Sequence, residues 1–103
     1  MNDVPAPDAC ITMRDVRTAI DALDREIVAL LALRMRYIEA AARVKTARGA
    51  VRDEARKAEV IAKACAAAEA NGLSPAHVAA IYELLVERSI AHEFEVFDRA
   101  EAS

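Results

Sequence analysis

The amino-acid sequence predicts an all-α protein with three helices of unequal length, one long, one short and one medium. The segment between Pro7 and Gly49 contains neither glycine nor proline. Apolar residues recur in it every three or four positions, which is the spacing of one helix face and not of a strand. These positions are Val16, Ile20, Leu23, Ile27, Leu30, Leu31, Met35, Ile38, Ala41 and Ala42. Two later segments show the same helical spacing.

The first helix is expected to begin after Thr12 and to run to about Thr46. Thr12, with Asp15 three residues later, forms a variant of the capping box, and Ile11 and Val16 are placed to form a hydrophobic staple. Residues 1–11 precede this start and contain two prolines. We therefore predict a flexible arm over residues 1–11 and a single helical domain over residues 12–103.

The second helix is expected over residues 54–70. A loop over residues 47–52, which contains a glycine, separates it from the first helix. Asp53 has the side chain of a preferred N-cap, because its carboxylate can accept a hydrogen bond from the first turn. Asn71 and Gly72 then form a typical helix end.

The third helix is expected to begin at Ser74 and Pro75, the first as N-cap and the second as first helical residue. Its apolar positions are Val78, Ile81, Tyr82, Leu85, Val86, Ile90, Val96 and Phe97. Glu93 falls on the same face of the helix, so a carboxylate interrupts an otherwise apolar surface.

The first helix is much longer than its neighbours. Some 34 residues at 1.5 Å each give roughly 50 Å, and the second helix reaches about half of that. A monomeric bundle of such parts would leave much of the long apolar stripe in water, and a chain of this size has little core to spare. We predict an intertwined homodimer; a hairpin tetramer or a hetero-oligomer is the alternative.

Composition excludes several classes of protein. The 103 residues are 55% hydrophobic and 30% charged, with a net charge of −3, which indicates a globular chain and argues against nucleic-acid binding. Neither a signal peptide nor an apolar run long enough to span a bilayer occurs, so we expect no membrane partner.

We expect Cys10 and Cys65 to be reduced thiols in a cytoplasmic protein. His77 and His92 lack metal-ligand spacing, and we expect neither metal nor cofactor.

Arg34 and Lys45 stand out because they are the two cations on the apolar stripe of the first helix. Arg34 lies within roughly 20° of Val16 and Leu23 on a helical wheel, and Lys45 lies about 20° from Arg34. An unpaired buried charge costs several kcal/mol, so these cations call for a carboxylate or an anionic ligand. Snorkelling of both side chains to solvent is the alternative.

Four further residues are candidates, each with a simpler explanation. Arg17 lies about 25 Å before Arg34 along the helix, so it could share a small ligand only from a partner chain; alone it is a surface residue. Glu93, with Ser89 one turn earlier, is either a functional carboxylate or half of an ion pair across the bundle. Asp53 and Arg56 are explained equally well by a helix cap with an i,i+3 pair.

Together these residues resemble the all-helical chorismate mutases. The resemblance rests on the run from Val16 and Arg17 to Asp24, on Arg34-Met35, and on Val44-Lys45. It continues through the following segments to the end of the third helix and covers nearly all of residues 14–98. Those segments are Val51-Arg52-Asp53, Arg56, Asn71-Gly72-Leu73 and Ser89.

The resemblance implies a homodimeric isomerase of the shikimate pathway that converts chorismate to prephenate without a cofactor. Arg34, Lys45 and the partner chain's Arg17 would bind the two carboxylates of chorismate, and Lys45 would also donate to the ether oxygen. Glu93 would face the same oxygen. The resemblance further implies ligand contacts for Asp53, Arg56 and Ser89, and catalytic roles for Lys45, Glu93 and Arg34.

One residue departs from the family's pattern. Many chorismate mutases have a glutamate directly after the position of Arg56, where it accepts a hydrogen bond from the ring hydroxyl; here the residue is Lys57. Glu54 is one residue that could accept this hydrogen bond instead. A second possibility is the sister activity of isochorismate pyruvate lyase, and a third is a non-catalytic helical partner module. Which pathway the product feeds, and whether feedback regulation exists, do not follow from the sequence.

Overall fold

A computed structural model describes residues 4–103 of the chain. Over that range it contains three α-helices and two short 3₁₀ turns, and no strand: α1 is Met13–Val44, α2 is Glu54–Ala70 and α3 is Pro75–Ala102. The turns are Pro7–Ala9 and Arg48–Ala50. The helices have 32, 17 and 28 residues, so the predicted all-α class with one long, one short and one medium helix is confirmed.

The N-terminus of α1 has the predicted capping box. The backbone N–H of Asp15 donates to Thr12 Oγ1 at 3.1 Å, and the Asp15 carboxylate accepts from the backbone N–H groups of Thr12 and Ile11 at 3.1 and 2.9 Å. These bonds satisfy donors that an α-helix start leaves without intrahelical partners. The helix ends at Val44, two residues before the predicted end at Thr46.

The ends of α2 are as the sequence predicts. Asp53 Oδ1 accepts from the Arg56 backbone N–H at 2.9 Å and caps the first turn. At the other end, the Leu73 N–H donates to Ala68 O at 2.8 Å, and Gly72 has φ of 71°, a left-handed conformation that favours glycine. Ser74 is the N-cap residue of α3, although its side chain makes no capping hydrogen bond.

The described chain divides into two compact units, one ending at Arg36 and one running from Tyr37 to Ser103. The first consists of the Pro7–Ala9 turn and α1 as far as Arg36. Its apolar stripe is largely exposed, with Ile20 at 49%, Leu23 at 55% and Ile27 at 51% of their full accessible area.

The second unit holds the hydrophobic core. The last turns of α1, the segment between α1 and α2, and helix α3 contribute its buried members, which are Ala42, Val51, Val86, Ile90 and Phe97. Val60 and Ile61 of α2 pack against them. The single domain over residues 12–103 and the flexible arm over residues 1–11 stay predictions, and residues 1–3 of that arm lie outside the described range. None of the helices in residues 4–103 is both long and apolar enough to cross a membrane.

Candidate active site

Lys45 and Glu93, which the sequence singled out separately, form an ion pair in the second unit. Lys45 directly follows the end of α1, and its Nζ lies 2.6 Å from Glu93 Oε2 on α3. The Glu93 side chain is only 5% exposed and that of Lys45 is 29% exposed. Lys45 therefore does not snorkel to solvent unpaired, and the carboxylate that it requires comes from α3, 48 residues further along the chain.

Ser89 lies one turn before Glu93 on α3 and is also buried, with 3% exposure. Its hydroxyl donates to the Leu85 backbone carbonyl at 2.8 Å. The Lys45 ammonium, which has three N–H donors, donates one hydrogen bond to Glu93. The arrangement can present a rigidly held cation to an anionic group of a ligand.

Removal of either partner of this ion pair would leave a charge in a poorly solvated place. Breaking a buried pair by losing one member typically costs about 3–5 kcal/mol, because the remaining charge has no compensation. A buried ion pair adds little net stability, because hydrophobic side chains of similar size in its place often stabilise the fold equally well. Its presence on an apolar face is therefore more readily explained by function than by folding.

Asp53 and Arg56 adopt the arrangement that a cap and a surface pair predict. Asp53 caps α2, and the Arg56 guanidinium lies 2.7 Å from Glu59, with both side chains more than half exposed. In the second unit they are bound to these local partners rather than to Lys45 or Glu93. Their role as ligand contacts stays a prediction.

Lys57, the residue that departs from the family's pattern, is bound by carboxylates of α3. Its Nζ lies 2.6 Å from both Glu83 and Glu87, and its side chain is 16% exposed. Glu87 also accepts two hydrogen bonds from Arg52, at 2.7 and 3.1 Å, and Arg52 reaches Glu54 at 2.9 Å. We call these five residues the Glu87 network.

The network has a marked effect on ionisation. Hydrogen bonds from Arg52, and then from Lys57, hold the pKa of the Glu87 carboxyl at about 2, below its ordinary value of 4.5. The same contacts raise the pKa of Lys57, because Glu83 and Glu87 favour its charged form. Glu54, which the sequence offered as a substitute for the family's glutamate, is itself paired with Arg52.

Arg17 and Arg34 lie on α1 in the first unit. Arg17 is exposed and Arg34 is half-buried. They are 17 residues apart on one helix, about 25 Å along its axis, so the two side chains of one chain do not meet at one small ligand. The predicted donation of Arg17 from a partner chain stays a prediction.

The remaining candidate groups have simple surroundings. Among the residues that the structure describes, no group of three or more His, Cys, Asp or Glu side chains could hold a metal ion. His92 Nε2 lies 2.8 Å from Glu39 Oε2. Cys10 and Cys65 are each half-buried and form no disulfide with one another, and their reduced state stays a prediction.

Sequence reasoning missed the contacts that hold the segment between α1 and α2. Arg48 binds Asp98 at 2.9 and 3.3 Å and lies over the Phe94 ring at 4.5 Å, and Arg52 binds Glu87. The signal was present: two arginines four residues apart flank a glycine and face a helix that carries several carboxylates.

Two comparisons with known proteins bear on these residues. The sequence model of the family described as chorismate mutase type II matches residues 16–94, a range that includes every candidate residue from Arg17 to Glu93. A curated relative, isochorismate pyruvate lyase from Pseudomonas aeruginosa, is 33% identical over 89 residues. The match covers 86% of this chain and 88% of the lyase.

Proposed function

Because the chain belongs to the chorismate mutase type II family, we propose that it is a chorismate mutase, which rearranges chorismate to prephenate. One observation carries the proposal: the Lys45 ammonium is held 2.6 Å from a carboxylate that is almost fully buried. A fixed cation is what a reaction without nucleophile or general base requires.

The proposed chemistry is a Claisen rearrangement within one molecule. One carbon–oxygen bond breaks, one carbon–carbon bond forms, and negative charge grows on the ether oxygen. Rate acceleration then comes from holding the reactive conformer and from preorganised donors directed at that oxygen. Lys45 is the proposed donor to the ether oxygen, Glu93 holds its ammonium, and Arg34 binds a carboxylate.

Arg17 enters this proposal from a second copy of the chain. The stripe of α1 in the first unit, with Leu23 55% and Ile27 51% exposed, supplies the apolar surface that a homodimer would cover. In such a dimer each site would combine Arg34 and Lys45 of one chain with the partner's Arg17. Asp53, Arg56 and Ser89 complete the proposed substrate contacts.

The second candidate is an isochorismate pyruvate lyase. It is favoured by the similarity to the Pseudomonas aeruginosa lyase and by the carboxylate-bound Lys57 at the position where many mutases have glutamate. The lyase would break the ether carbon–oxygen bond of isochorismate while the hydrogen on the ring carbon that bears the hydroxyl moves to the methylene carbon of the enolpyruvyl group, so that pyruvate leaves and the ring becomes salicylate. Its substrate also carries two carboxylates and an ether oxygen, so the same cations serve.

Incubation of the purified chain with each substrate separates the candidates. Loss of chorismate absorbance with formation of prephenate supports the mutase, whereas salicylate fluorescence from isochorismate supports the lyase. Lys45→Ala should lower kcat/KM on the accepted substrate by about 10²–10³, the typical effect of one oxyanion donor. Lys63→Ala, at a side chain that is 71% exposed, is the matched control and should leave kcat/KM unchanged. Turnover of neither substrate would favour a non-catalytic partner module.

A further inference from the structure

The segment that links α1 to α2 forms ion pairs with α3 at three places. We call residues 45–53 the connector. Lys45 at its start binds Glu93, Arg48 in its middle binds Asp98, and Arg52 near its end binds Glu87. Val51, between the last two, is 3% exposed and belongs to the core.

The two arginine ion pairs of the connector differ in strength. Arg48 and Asp98 are 62% and 49% exposed, and an ion pair in such a position contributes little. Both arginines donate to the two oxygens of their carboxylate, but Arg52 and Glu87 are less exposed, at 40% and 36%, and their hydrogen bonds of 2.7 and 3.1 Å are shorter than the 2.9 and 3.3 Å between Arg48 and Asp98. The Glu87 pair is therefore the stronger of the two arginine contacts.

Glu87 also joins three parts of the second unit through one side chain. It lies on α3, accepts from Arg52 of the connector, and accepts from Lys57 in the first turns of α2. Lys57 is only 16% exposed, so this side of the carboxylate is shielded from water. Loss of Glu87 would therefore remove one ion pair of the connector and one ion pair of α2 at the same time.

The connector carries Lys45, so its backbone position affects where the ammonium can lie. We propose that Glu87, acting through Arg52, is a positioning residue that fixes the connector and thereby the Lys45 ammonium. The consequence for turnover rests on the proposed function, whereas the effect on Lys45 itself does not.

Amine labelling measures that effect directly. The chain has three lysines, and a short pulse of reductive methylation followed by mass spectrometry reports the reactivity of each. In Arg52→Gln and in Glu87→Gln, methylation of Lys45 relative to the exposed Lys63 should rise about threefold to tenfold, as expected when a local contact opens. Arg52→Lys keeps the positive charge but lacks the planar guanidinium that donates two hydrogen bonds to one carboxylate. Methylation of Lys45 should therefore rise less in Arg52→Lys than in Arg52→Gln.

Two internal comparisons make the result specific. In Arg52→Gln, Lys57 keeps both Glu83 and Glu87, so its methylation should stay at the wild-type level. Glu95→Gln removes the same charge from an exposed position of α3 outside the network and should change nothing. Wild-type labelling of Lys45 in both Arg52→Gln and Glu87→Gln, or an equal rise at Lys57 in Arg52→Gln, would overturn the proposal.

Turnover tests the consequence. On whichever substrate the wild type accepts, Arg52→Gln and Glu87→Gln should lower kcat/KM roughly tenfold, because small displacements of a catalytic group are costly. Glu95→Gln should retain the wild-type value. Increased labelling of Lys45 with unchanged kcat/KM would show that the positioning does not matter for catalysis. If the wild type accepts neither substrate, the proposed function fails, and the labelling still decides whether Glu87 positions Lys45.

Discussion

The two units of the chain have apolar stripes of the same helical period but bury them to very different extents. In the first unit Ile20, Leu23 and Ile27 remain about half exposed. In the second unit Val86 and Phe97 of α3 are each 6% exposed. Helical periodicity thus identifies which face is apolar, but the partner that covers the face depends on residues distant in sequence or on a second chain.

The largest effect is expected in the buried stripe. Phe97→Ala should lower the free energy of unfolding by about 3–5 kcal/mol, because it removes a large side chain from a packed core and leaves a cavity. Chemical denaturation followed by circular dichroism measures the change. A loss below about 1 kcal/mol would mean that the core of the second unit is less closely packed than its burial indicates.

A substitution in the exposed stripe of the first unit should change dimerisation instead. Ile27→Asp should weaken dimerisation roughly a hundredfold, because a symmetric interface loses the apolar side chain twice. Val28→Asp is the matched control: Val28 is 63% exposed on the same helix but lies about 120° from Val16 and Arg34 on a helical wheel. Sedimentation equilibrium distinguishes the variants. Equal dimerisation of both would argue against the proposed dimer face.

Shared sites provide a sharper test of the same face. Arg17→Gln and Arg34→Gln should each be nearly inactive as homodimers. If the partner's Arg17 completes each site, mixing the two variants should restore about a quarter of wild-type activity, because half of the dimers then contain one intact site. Activity assays after subunit exchange measure this. Two inactive variants that do not recover on mixing would contradict the donation of Arg17 by the partner chain.

The turn between α2 and α3 offers a smaller effect. Gly72→Ala should destabilise the second unit by about 1 kcal/mol, because Gly72 has φ of 71° and other residues rarely adopt that conformation. The control is Gly49→Ala in the connector, where φ is not positive and an added Cβ meets nothing within 4 Å. Thermal unfolding should separate the two variants, and equal midpoints would contradict the strain at Gly72.

Local chemistry accounts for what the sequence predicted well. Thr12, Asp15 and Asp53 cap helices through groups three or four residues away, so their roles follow from nearest neighbours. The Lys45–Glu93 pair was only half predictable. Each charge was conspicuous on an apolar face, but 48 residues separate them and periodicity does not specify how helices pack. The pairing of Arg52 with Glu87 was not predictable, because exposed charges resemble ordinary surface residues.

The smallest expected effect concerns acid stability and compares one carboxylate from each unit. Arg52 and Lys57 hold the pKa of Glu87 at about 2, and backbone hydrogen bonds from Ile11 and Thr12 lower the pKa of Asp15. A carboxyl whose pKa is lower in the folded state stabilises the fold above its unfolded pKa, and this stabilisation is lost as the pH falls. For Glu87 the loss should occur between about pH 4.5 and pH 2.

Acid titrations of Glu87→Gln and Asp15→Asn, each against the wild type, measure these contributions. The stability difference between Glu87→Gln and the wild type should be largest above pH 4.5 and should shrink as pH falls towards 2, because the wild-type carboxylate then becomes protonated. The stability difference between Asp15→Asn and the wild type should also shrink as the pH falls. It should concern α1 alone, because Asp15 caps that helix. A constant difference for Glu87→Gln over this range would mean that the carboxylate acts through shape rather than charge, and that Arg52 is held by something other than an ion pair.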